Sequence, residues 1–101
     1  MKVTKETEIY KAAVKEFGGA HQTLKAIEEL SELQRALARD YSGEGMKTDL
    51  HVCEEIADVE IMLNQLRLIY DPKEIDDWKD SKLECLARMV GVDIENEEVE
   101  E

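Results

Sequence analysis

The chain has 101 residues, 43% of them hydrophobic and 38% charged, with a formal net charge of −12. That charge excludes a nucleic-acid polymer as partner, because gripping a phosphate backbone takes a concentrated basic footprint. The sequence shows neither a secretory leader nor an apolar run of the roughly 18 residues a membrane span needs, so a cytoplasmic chain with no membrane partner is expected.

One proline and five glycines leave few helix-breaking positions, and they fall between the periodic segments. The first segment runs from Thr4 to Phe17, with Ile9, Ala13, Val14 and Phe17 at helical spacing, and Gly18-Gly19 ends it. The second runs from Ala20 to Arg39, with Ala26, Leu30, Leu33 and Leu37 on one stripe. Tyr41–Lys47 reads as a glycine-bearing loop, and Thr48 as the N-cap of a third helix that reaches Tyr70. Asp71-Pro72 is a stop and restart: Asp71 caps, Pro72 takes the first helical position, and Glu74 stands at the capping-box position. The fourth segment runs to Val90, with a break expected near Asp76–Trp78, and Gly91 closes it. Cys53 and Cys85 sit in apolar helical contexts without metal-type spacing, and are expected to be small buried hydrophobes.

These elements predict an all-α fold, an antiparallel bundle of about four helices over residues 1–92. A domain this small buries little of its own surface, so oligomerisation is expected to complete the core. Residues 93–101 carry six acids and no base, and are expected to be a flexible, solvated tail.

With 25 acids in the chain, composition alone yields about six acid pairs spaced i, i+3. Spacing therefore decides nothing; the face does. On a wheel of about 100° per residue with Glu29 at zero, Leu33 falls near 40°, Ala26 near 60°, Leu37 near 80° and Leu30 near 100°. Glu32 lies about 60° to the other side. With Glu55 at zero on the third helix, Leu66, Val59, Leu63 and Ile56 fall between about 20° and 100°, Met62 near −20° and Asp58 near −60°. Both helices thus set an acid pair against an apolar stripe. Carboxylates in such a position are costly unless they are paired or bind a cation. Two pairs on neighbouring helices make a hard oxygen donor set suited to Mg²⁺, or to Mn²⁺. The bland alternative is that these acids meet Lys or Arg at an interface or reach solvent.

The run Glu28-Glu29-Leu30-Ser31-Glu32, followed after 22 residues by Glu55-Ile56-Ala57-Asp58, resembles the EExxE…ExxD signature of the MazG-like all-α nucleoside triphosphate pyrophosphohydrolases. The resemblance covers about residues 17–86, including Gln22, the glycine-bearing loop and a Lys82-Leu83 start to the last helix. It implies hydrolysis of NTP or dNTP to the monophosphate and pyrophosphate by metal-activated water, in a homodimer or homotetramer. It also implies Glu29, Glu32, Glu55 and Asp58 as metal ligands, with Glu28 in a supporting catalytic role, orienting the water. Gln22 becomes a base contact; His21, Lys47, Gln65 and Lys82 join it as substrate-binding candidates, and Lys79 is a further candidate for holding phosphate. Trp78 reads as an interface or core anchor.

Two other readings compete. A di-iron carboxylate bundle needs Glu-x-x-His pairs, and the chain offers only the reversed His51-x-x-Glu54. A non-catalytic helical interaction or regulatory module would leave the acids merely solvated.

Overall fold

A computed structural model describes residues 3–42 and 49–94. It contains four helices and, among the described residues, no strand: α1 (Val3–Phe17), α2 (Gly19–Ser42), α3 (Asp49–Ile69) and α4 (Pro72–Val90). The chain is all-α, as the helical periodicity demands. Its contacts divide it into two compact units, Met1–Tyr70 and Asp71–Glu101.

In the first unit α1 and α2 meet at a single residue. Gly18 adopts φ +91°, its N–H bonds the Val14 carbonyl at 2.8 Å, and its own carbonyl accepts from Gln22 N–H at 3.0 Å. Only glycine takes that left-handed conformation without strain. Gly19, expected to extend the break, instead opens α2, and a Cβ built on it would sit 3.9 Å from the Ile69 side chain. The start of α2 therefore lies against the end of α3.

The two helices run antiparallel. Gly19 lies by Ile69, Gln22 bonds Gln65, Glu32 meets Glu55, and Ala36 lines a cleft with His51. As one index rises the other falls. Ala26, Ala36, Val59 and Met62 are the buried apolar residues of this unit, joined by buried Gln22, Glu55 and Gln65. The small alanines let the helix axes approach closely. On the same wheels, these buried positions lie between about −80° and 60°, so the seam runs through the acids. The leucine stripes were expected to carry the core; instead Leu30 and Leu37 are 43% and 46% exposed, and Ile56 and Leu63 are exposed as well. α1 packs on α3 and more lightly on α2.

The second unit begins at Asp71 and is built on α4. Asp71 caps the helix by accepting from Lys73 N–H and Glu74 N–H at 3.0 and 3.4 Å, and Pro72 takes the first turn, where its missing N–H is no loss. The expected break near Asp76–Trp78 is absent: α4 is continuous, because nothing in that stretch removes a backbone donor or demands positive φ. Lys82-Leu83 accordingly sits in mid-helix rather than at a helix start. Gly91 (φ 78°) ends it, with its N–H on the Ala87 carbonyl and Val92 N–H on the same oxygen at 2.9 Å.

Cys53 and Cys85 are exposed, contrary to the buried positions expected of them. On α3, Cys53 lies off the packed seam. Thr48, most of the glycine-bearing loop and the tail from residue 95 onward lie outside the described residues. No helix among the described residues is long and apolar enough to cross a membrane.

Candidate metal and nucleotide site

The antiparallel register brings three of the four predicted carboxylates together. Glu29 and Glu32 stand one turn apart on α2, and Glu55 faces them from α3; one carboxylate oxygen from each lies within 4.8 Å of the others. Glu55 is only 7% exposed, and its Oε1 is buried without a hydrogen-bond partner. Its Oε2 lies 3.9 Å from His51 Nε2. Asp58 stands outside the three-residue group, half-buried one turn further along α3. It acts on Glu55 through its charge.

Electrostatics follow from that crowding. Burial holds the Glu55 carboxyl above its ordinary range, and the charges of Glu32, Asp58 and Glu29 push the same way against a smaller opposing effect from His51. One cation answers part of the charge. Lys25 Nζ lies 3.2 Å from Glu29 Oε2 and 3.5 Å from Glu28 Oε1, and its pKa is raised, chiefly by the Glu29 contact. Glu28 itself is exposed.

A buried, unpartnered carboxylate oxygen beside two more carboxylates is a donor set waiting for positive charge. All the donors are hard oxygens, which select Mg²⁺ or Mn²⁺ over thiophilic or imidazole-seeking metals. The residues fit such a cation.

Gln22, the predicted base contact, is already engaged with two other substrate-binding candidates, Gln65 and His21. Gln22 Nε2 donates to Gln65 Oε1 at 2.8 Å, while Gln22 Oε1 lies 2.7 Å from His21 Nδ1. Gln65 Nε2 reaches the Ile61 carbonyl at 3.5 Å. Gln22 and Gln65 thus form a buried polar clasp between the start of α2 and the end of α3. The exposed His21 ring sits 5.7 Å from that of Phe17, centroid to centroid.

Among the lysines nominated for phosphate, Lys47 lies outside the described residues. Lys79 and Lys82 belong to α4, where Lys82 Nζ stands 5.7 Å over the ring of exposed Trp78. The basic groups that do line a cleft beside the carboxylates are Arg35 and Arg39, with His51 opposite. Sequence reasoning missed them, although their spacing from Glu32 by one and two turns was there to see.

Comparisons with protein-family models, with curated proteins and with solved structures each return no match.

Proposed function

We propose that this chain is a divalent-cation-dependent nucleotide pyrophosphohydrolase, converting NTP or dNTP and water to the monophosphate and pyrophosphate. The observation that carries the reading is Glu55, whose Oε1 is buried and unpartnered, facing Glu29 and Glu32 across the α2–α3 seam. A fold gains nothing from three carboxylates in that position unless a cation joins them. The resemblance to the MazG-like signature supplies the reaction class, and its four expected ligands are these three residues and Asp58.

The site divides the labour between ligand and protein. A bound Mg²⁺ would neutralise phosphate oxygens and acidify a water molecule. Glu29, Glu32 and Glu55 would hold the cation on two helices clasped by Gln22 and Gln65, which fixes their separation. Asp58 adds negative charge nearby, and Glu28, tethered by Lys25, is the carboxylate left to orient water. In the reaction the water oxygen bonds to one of the phosphorus atoms flanking the α–β bridge, and the bridging P–O bond breaks. No Ser or Cys nucleophile is required.

A homo-oligomer belongs to the same proposal. The exposed faces of Leu30 and Leu37 on α2 and of Ile56 and Leu63 on α3 are the apolar surface that a second copy would cover.

The deciding assay is pyrophosphate release from a panel of eight ribo- and deoxyribonucleoside triphosphates with Mg²⁺, scored for monophosphate as co-product. Orthophosphate in place of pyrophosphate would put cleavage at the wrong bond and end the assignment. Silence from a folded protein across the panel would favour the non-catalytic interaction module.

A further inference from the structure

Beside the carboxylate group α2 and α3 leave an open cleft of about 200 Å³, lined by Glu32, Arg35, Ala36, Arg39, His51 and Glu55. The four α2 residues recur at i, i+3, i+4 and i+7, so they form one wall; His51 and Glu55, one turn apart, form the other. Buried Ala36 keeps the wall between them low, and a larger side chain there would fill the space.

The cleft has two ends of opposite charge. Glu32 and Glu55 belong to the carboxylate group, whereas Arg35 lies about 4.5 Å and Arg39 about 10.5 Å further along the α2 axis by helical rise. Among the described residues Arg35 pairs with no carboxylate, although Glu32 stands one turn before it. Arg39 has an interaction of its own. A carboxylate cluster alone repels a phosphate chain, and a cation there still leaves the outer phosphates unmatched. Guanidinium groups are the side chains best shaped to grip phosphate oxygens in pairs, and they keep their charge at every working pH.

We propose that Arg35, supported by Arg39, forms a phosphate subsite at the far end of this cleft, taking the outer phosphates of a ligand whose inner phosphate meets the cation at Glu29, Glu32 and Glu55. The assignment rests on the cation-site reading above, and it names a polyphosphate chain, rather than a base or sugar, as what the cleft recognises. It moves the phosphate contacts from the lysines suggested by sequence to two arginines of α2.

Calorimetric titration of the full chain tests it, first with Mn²⁺ alone and then with inorganic tripolyphosphate in the presence of Mg²⁺. Arg35→Gln should leave Mn²⁺ affinity unchanged and weaken tripolyphosphate about tenfold. Arg35→Lys should recover part of the loss. Lys11→Gln, which removes the same charge from α1, should change neither. Arg35 is the better probe because it is exposed and, unlike Arg39, has no interaction of its own to lose among the described residues; a thermal melt of the variant checks that the fold survives. Tripolyphosphate affinity unchanged in Arg35→Gln, in a chain that binds Mn²⁺, would overturn the subsite while sparing the cation site. Arg35-dependent tripolyphosphate binding without any Mn²⁺ binding would uphold the subsite and overturn the cation reading. Binding of neither would overturn both.

Discussion

Glu55 is where the cost of the site is concentrated. Its carboxyl is held above the ordinary range by burial and by neighbouring carboxylates, so between the unfolded and folded pKa values the native state binds more protons than the unfolded one. In metal-free protein the stability should therefore be highest below the unfolded pKa, fall as pH rises through that window, and level off above the folded pKa. Melting temperatures across an acid-to-neutral series in chelator would show it, and a flat or rising profile would contradict it. For the same reason Glu55→Gln should raise the melting temperature at neutral pH in chelator. It should also abolish the stabilisation that millimolar Mg²⁺ gives the native chain. The Gln22–Gln65 clasp makes a second prediction at this scale. Gln22→Leu leaves Gln65 Oε1 buried without its donor and should cost about 1–3 kcal/mol in urea unfolding. Leucine at both positions should recover much of that loss, because then no polar atom is stranded.

Between the helices, the tight corner at Gly18 and the low wall at Ala36 set what the site can be. Gly18 holds φ +91° with no atom within 4 Å of a built Cβ, so Gly18→Ala meets only backbone strain. The expected loss is about 1–2 kcal/mol in urea unfolding, with no change in Mn²⁺ affinity. Ala36 is different: it is buried in the seam and also lines the cleft. Ala36→Leu should destabilise by about 1–3 kcal/mol through overpacking and weaken tripolyphosphate binding at the same time. A variant that loses stability but keeps full tripolyphosphate affinity would show that the cleft is not where phosphate goes.

For the whole molecule, the local signals in the sequence and the contacts between helices decided different things. Helix existence and most ends were legible: Gly18, Asp71-Pro72 and Gly91 act through their own backbone conformations and caps, which need no partner. Periodicity also placed Glu29 and Glu32 one turn apart on α2, and Glu55 and Asp58 one turn apart on α3. It could not set how far each helix is rotated against the other. Packing chose a seam through Ala26, Ala36, Val59 and Met62, because small side chains allow close approach, and that choice left Leu30, Leu37, Ile56, Leu63 and Cys53 exposed. The same rotation and register gathered Glu29, Glu32 and Glu55, left Asp58 aside, and put Arg35 and Arg39 on the cleft wall. The sequence by itself determined four helices, the ends at Gly18, Asp71-Pro72 and Gly91, and an acid pair on each of two faces, since those follow from local backbone and periodic forces. Only the tertiary structure decided which carboxylates meet and which cations flank them, because that depends on side-chain contacts between residues distant in the chain.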